Sequence, residues 1–275
     1  MKNYSALLLT SSLLFAAVAP AIAQKSDNPP PPNILVVQRE MLKPGKSGSP
    51  HMKTESAFVK AFADAKMTTA YIGLDSLSGP TRAVFLAGYD SFAEWGKDLD
   101  AMRTNASFGA AMDTAIINDG DLLSEFSQSV YAYRKDLSYN DHIDAGAARY
   151  WEIMIFTVKP GHEAEWAAIN KLYIDHYAKV APNSQWVTFQ SLYGKDNGGV
   201  FAIFLPFKSM PDADQGFMDG VKFVSSLSPD EQKKLSDLAA ACIESTQVNL
   251  FAVNPKMSYP APAWVKSDPA FWNSK

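Results

Sequence analysis

Apolar and polar positions along this chain run through two long cycles that read almost alike. An apolar run, Asn33-Ile-Leu-Val-Val-Gln-Arg-Glu-Met-Leu42, ends at Lys43-Pro44-Gly45; a second, Arg149-Tyr-Trp-Glu-Ile-Met-Ile-Phe-Thr-Val158, ends at Lys159-Pro160-Gly161. Alternation predicts a strand over residues 34–41, after which Lys46 to Pro50 extend the turn. A helix follows over 52–65, with Phe58, Val59 and Phe62 on one face. Strands at 70–74 and 82–89 join across Ser78-Gly79-Pro80. Helical sequence then runs from Ser91 to about Phe126, broken near Asn105, and a strand at 129–134 closes the cycle. In the second cycle, residues 163–179 make the clearest helix, with Trp166, Ile169, Tyr173, His176, Tyr177 and Val180 at three- and four-residue steps. Strands at 185–190 and 200–205 form a hairpin whose turn, residues 195–199, contains Asn197-Gly198. Helix resumes near Asp212. Ser228-Pro229-Asp230-Glu231 has the pattern of a capped helix start, and a strand at 247–253 ends the cycle. Tyr89 aligns with Phe207 and Val130 with Val248.

Each cycle is a βαββαβ unit, which makes a four-stranded antiparallel sheet with two helices on one face. The other face is bare, and a second unit can cover it. The expected fold is therefore α+β: two tandem ferredoxin-like βαββαβ units, residues 33–137 and 149–257, packed sheet to sheet as an intramolecular pseudo-dimeric α/β barrel. The polar, aperiodic residues 138–148 make the linker. On this reading the two bare surfaces meet without merging into one continuous sheet.

The ends qualify the picture. Lys2, the short apolar stretch from Ala6 to Ala19 and Ala21-Ile22-Ala23 predict an export signal over residues 1–23, with Gln24 as mature N-terminus and a periplasmic or extracellular destination. The stretch is too short and too interrupted for a membrane anchor. Residues 24–32, ending in four prolines, predict an extended spacer. Residues 258–275 carry aromatics without periodicity. They read as an arm docking its rings into surface grooves, with a lid or a self-association tail as the alternative. Cys242 is the only cysteine, so no intramolecular disulfide forms, and roughly 250 residues suffice for a core without one. A formal net charge of −4 argues against nucleic acid or an anionic membrane surface as partner.

Local motifs for chemistry are few. Gly45-Lys46-Ser47 lacks the earlier glycine of a phosphate loop, and Gly45-Lys-Ser47-Gly-Ser49 lacks the closing glycine of a nucleophile elbow. His51, His142, His162 and His176 include no pair at helical or strand spacing, so no metal-binding motif is expected locally; a site assembled from distant segments stays open. Candidates come from the opening strands. One face carries Val36, Gln38 and Glu40, matched by Glu152, Met154 and Phe156; the other carries Val37 and Arg39, matched by Ile153 and Ile155. Placing helices over the more apolar face assigns Gln38, Glu40 and Glu152 to the barrel interior. Glu152, between Trp151 and Ile153, would be costly to bury unpaired, and desolvation would raise its pKa toward that of a general base. Pairing with Arg134, Arg39 or a tyrosine hydroxyl is the plainer alternative. Tyr131 and Tyr133 share a face and either clamp an aromatic ligand or simply pack; Arg134 lies on the opposite face.

A strand ending in Val158-Lys-Pro-Gly-His-Glu-Ala-Glu-Trp166 and entering an amphipathic helix resembles the dimeric α/β-barrel superfamily. That group includes antibiotic-biosynthesis-monooxygenase-like, NIPSNAP-like and EthD-like proteins and the haem-binding chlorite dismutases. The resemblance implies the fold far more than an activity. It also makes His176 the residue to test for haem, since the second half binds haem in the chlorite dismutases. The expected function is binding of a small apolar or aromatic molecule in the barrel cavity without a cofactor, through Gln38, Glu40, Tyr131, Tyr133, Arg134, Met154 and Phe156. The alternatives are a cofactor-free oxygenase or isomerase using Glu152, or a haem oxidoreductase using His176.

Overall fold

A computed structural model describes residues 28–194 and 199–274. The export signal, the first residues of the spacer and the Asn197-Gly198 turn lie outside the described residues. The first half runs β1 (Ile34–Leu42), α1 (Ser49–Asp64), β2 (Tyr71–Ser76), β3 (Arg82–Tyr89), α2 (Phe92–Thr104), α3 (Ala106–Gly120) and β4 (Leu123–Tyr133). The second repeats that order: β5 (Tyr150–Val158), α4 (Glu163–Val180), β6 (Val187–Gly194), β7 (Val200–Phe207), α5 (Met210–Ser226), α6 (Pro229–Cys242) and β8 (Ile243–Val253). Two short helices, α7 (Pro262–Ser267) and α8 (Pro269–Trp272), end the chain.

Local chemistry sets several boundaries. The break expected near Asn105 is a cap: its side chain accepts from the Phe108 amide at 3.1 Å and opens α3. Ser228 and Glu231 form the reciprocal capping box that their spacing predicts. Helical sequence does not reach Phe126, however, because Leu123 and Phe126 already pair with Leu42 and Glu40 of β1. A long cross-strand ladder overrides the helical preference of a few residues.

The strands close into one antiparallel barrel in the order β1-β3-β2-β8-β5-β7-β6-β4. Each half contributes the order 4-1-3-2, and the halves join edge to edge through β2–β8 and β4–β6. The bare surfaces do meet, but inside a single continuous barrel rather than between two separate sheets. Edge pairing leaves no unpaired strand at either seam, which face-to-face stacking would. Tyr89 and Phe207 hold equivalent positions, opposite Ile34 and Tyr150. Val130 and Val248 do not: Val130 pairs with Val36, whereas Leu250 pairs with the matching Glu152, a slip of two residues.

Side chains from both halves fill the barrel, among them Leu35, Val37, Leu74, Tyr131, Trp151, Ile153, Phe204 and Phe251. This reverses the expected facing of the opening strands. Gln38, Glu40 and Glu152 point outward under the helices, with Val36, Met154 and Phe156. Eight strands enclose an interior that side chains must fill, so the more apolar face turns inward. The inward face of β1 also carries Arg39, which donates to Ser129 Oγ at 3.0 Å and to the Tyr131 hydroxyl.

The C-terminal arm packs its rings into the same molecule. Trp272 is buried in the barrel core and donates from Nε1 to the Gly146 carbonyl at 3.1 Å. Tyr259 bridges to Tyr71, and the chain before it crosses β2 so closely that a Cβ on Gly73 would sit 2.6 Å from the Met257 carbonyl oxygen. Among the described residues no helix is long and apolar enough to cross a membrane.

Candidate functional site

Three elements converge at the far end of β1. Alternation along the strand turns Glu40 toward the helices. The chain then leaves through a loop ending at Gly48, whose φ of 73° suits glycine, and Pro50 lies in the first turn of α1. His51 and Glu55, one turn apart on α1, share the face that meets β1. Asp119 arrives from the last turn of α3 and accepts from Thr54 Oγ1 at 2.6 Å.

His51 Nε2 is the centre of this group, 2.9 Å from Glu40 Oε2, 3.6 Å from Asp119 Oδ1 and 3.7 Å from Glu55 Oε1. One potential ligand atom from each of the four lies within 4.8 Å of the other three. All four are buried, Glu40 at 6% exposure and the others at 3% or less. Glu55 Oε1 has no hydrogen-bond partner. Three carboxylates this close and this dry cannot all carry charge unopposed. Burial, followed by the charges of Glu40 and Asp119, pushes the Glu55 carboxyl up to about 10. Burial also raises Glu40, against its hydrogen bond from His51.

Glu40, Glu55 and Asp119 form one end of a cavity of about 470 Å³ between the sheet and the helices of the first half. Its walls are mainly apolar and aromatic, including Phe62, Phe85, Trp95 and Met102. Tyr71 also lines it, and its buried hydroxyl has no hydrogen-bond partner. Burial and the nearby Glu55 and Glu40 hold that phenol well above its ordinary pKa.

The second half has a matching cavity of about 500 Å³, lined by Met154, Phe156, Trp166, Tyr173 and Tyr177 among others. By strand register Phe156 stands where Glu40 stands: Glu40 pairs with Ala83 and Phe126, Phe156 with Phe201 and Thr246. Phe156 packs on Trp166, their ring centroids 5.0 Å apart, where Glu40 meets His51. The same architecture thus forms with an apolar contact at this point, and the titratable cluster is not something the fold requires.

The expected site residues scatter. Gln38 lines the first cavity and donates to Gln128 Oε1 at 2.9 Å; Met154 and Phe156 line the second. Glu152 shares their strand face, is half-buried and has its pKa raised by burial, but lines neither cavity. Tyr131 lies inside the barrel with Arg39, and Tyr133 donates to Asp141. Arg134 pairs with Asp136 at 2.7 Å and reaches Gln190. His176 has Nδ1 at 2.9 Å from Ser226 Oγ and Nε2 at 3.3 Å from Glu231, and lines neither cavity. Of the expected residues only Glu40 belongs to the cluster. His51, Glu55 and Asp119 come from structure, though a histidine four residues before a glutamate is a spacing that a search for histidine pairs passes over.

No protein-family model matches the sequence, and no curated protein matches it. Solved structures do. A candidate monooxygenase from Fusobacterium nucleatum subsp. nucleatum gives a TM-score of 0.52 at 12% identity, over 80% of this chain and 91% of that one. A candidate monooxygenase from Lactobacillus acidophilus gives 0.49 at 10% identity, over 80% and 93%. A mutant chlorite dismutase from Candidatus Nitrospira defluvii gives 0.46 at 9% identity, over 82% and 92%. The likeness is one of fold: an α+β chain built on a ferredoxin-like, closed eight-stranded barrel.

Proposed function

We propose that this chain is an exported protein, descended from a duplicated ferredoxin-like unit, that binds a small apolar or aromatic molecule in the cavity of its first half. A polar group of that molecule lies against Glu40, Glu55 and Asp119. The observation that carries this reading is the asymmetry between the halves. Two similar cavities form, and only the first ends in a cluster of three buried carboxylates, with the unpartnered hydroxyl of Tyr71 beside them. The buried carboxylate that lines the second, Asp219, pairs with Lys222 and accepts from Ser184 and Gln215. Apolar walls with a few convergent polar groups are the usual composition of a small-molecule site. Export rests on the N-terminal pattern of Lys2, the apolar stretch and Ala21-Ile22-Ala23.

A thermal-shift screen of phenols and hydroxylated bicyclic aromatics tests the binding reading. Ala87 lines the first cavity and is half-buried, so Ala87→Trp should fill the space. Compounds that raise the unfolding temperature of the wild type should lose that effect in Ala87→Trp. Hits that shift both proteins equally would place the ligand elsewhere and overturn the reading.

A further inference from the structure

We propose that Glu40, His51, Glu55 and Asp119 form a binding site for a first-row divalent cation, with three carboxylate oxygens and one imidazole nitrogen as ligands. This goes beyond small-molecule binding and does not depend on it.

Spacing supports the site. Around a cation with bonds of ~2.1 Å, neighbouring ligand atoms lie about 3.0 Å apart in an octahedron and about 3.4 Å in a tetrahedron. The three carboxylate oxygens stand 2.9, 3.6 and 3.7 Å from His51 Nε2, which brackets those edges. The donor set supports it too. Carboxylates with one imidazole suit Mn²⁺, Fe²⁺ or Zn²⁺, whereas a soft thiolate site is excluded by the only cysteine, Cys242, lying at the end of α6 in the other half.

Two further observations point to a missing partner. Glu55 Oε1, at 3% residue exposure, faces His51 with no hydrogen bond, and the Tyr71 hydroxyl beside it is likewise buried and unpartnered. Buried polar atoms in folded proteins nearly always have a partner. A bound cation would compensate the three clustered carboxylates and take up the Glu55 oxygen. Because three of the four residues also line the cavity, a coordination position would be left open toward it, as in metal sites that bind a small molecule directly.

The test uses the untagged, full-length mature chain, stripped with a chelator and titrated with Mn²⁺, Zn²⁺ and, anaerobically, Fe²⁺. Calorimetry and elemental analysis should find one cation per chain. Glu55→Gln and Asp119→Asn should each weaken binding at least about tenfold while retaining the wild-type circular dichroism spectrum. Should those variants fail to fold, the wild type still decides the matter. Pulsed paramagnetic resonance of its Mn²⁺ complex should show coupling to one imidazole nitrogen, lost in His51→Gln where that variant folds. Absence of stoichiometric binding by all three cations, unchanged affinity in folded variants, or Mn²⁺ without nitrogen coupling would each overturn the site.

Discussion

Glu40 Oε2 lies 2.9 Å from His51 Nε2 across the loop joining β1 to α1, and the matching contact in the second half is between the rings of Phe156 and Trp166. One pair is ionisable and buried, the other apolar, with Trp166 buried and Phe156 half-buried against the same kind of sheet. The difference between them is what separates a packing solution from a chemical one.

That contact should be expensive to cut from one side. In chelator, Glu40→Ala should cost about 3–5 kcal/mol, because it leaves His51 buried without its nearest partner. Glu55→Gln should change stability by no more than about 1 kcal/mol, since burial already keeps a proton on Glu55 and the amide has nearly the same shape. Urea unfolding of both variants checks the contrast. Equal losses would show that Glu55 is as tightly paired as Glu40.

Cation binding should be visible in stability. At a free cation concentration about a hundred times its Kd, folding should gain about 2.7 kcal/mol, and excess chelator should remove the gain. Thermal unfolding with and without Mn²⁺ measures it. An unfolding temperature that does not respond would count against the site.

Glu152 supplies a pH test independent of the cluster. Burial raises its pKa above the ordinary carboxylate value, so the folded state holds its proton more tightly than the unfolded chain. Stability contributed by that proton is complete below the ordinary pKa and is lost as pH rises through the raised one. Glu152→Gln carries no charge at any pH. Its unfolding temperature relative to wild type should therefore climb as pH rises above the ordinary carboxylate value of about 4. Parallel profiles would mean that Glu152 ionises as freely in the fold as outside it.

Trp272 tests the arm. Its ring completes the barrel core and its Nε1 holds the Gly146 carbonyl, so Trp272→Ala should cost about 3–5 kcal/mol. Denaturant titration is sufficient. A loss below 1 kcal/mol, about the worth of the hydrogen bond alone, would mean that the indole contributes little to the core.

Much of the fold was legible because local rules govern it. Alternation located the strands, three- and four-residue spacing located α1 and α4, the cap was readable at Ser228, and the break near Asn105 was readable although its capping side chain was not. The start of β4 was not legible: residues near Leu123 suit a helix, and only pairing with β1 makes them a strand. For the candidate site, Glu40 was recognisable as a carboxylate in an apolar strand, but its surroundings were misassigned. Both faces of β1 mix polar and apolar residues, and only the filling of the barrel decides which turns inward. His51 and Glu55 carry a readable one-turn spacing, whereas Asp119 lies 65 residues beyond its partner Thr54.

By itself the sequence determined the order of elements, their repetition and the capping that separates them, because those depend on periodicity and on contacts a few residues apart. Tertiary structure alone decided that the halves close edge to edge, that the cavities lie under the helices, and that four ionisable groups share one dry point. Those outcomes depend on strand pairing and burial between segments far apart in the chain, and no local pattern encodes the distance from His51 Nε2 to Asp119 Oδ1.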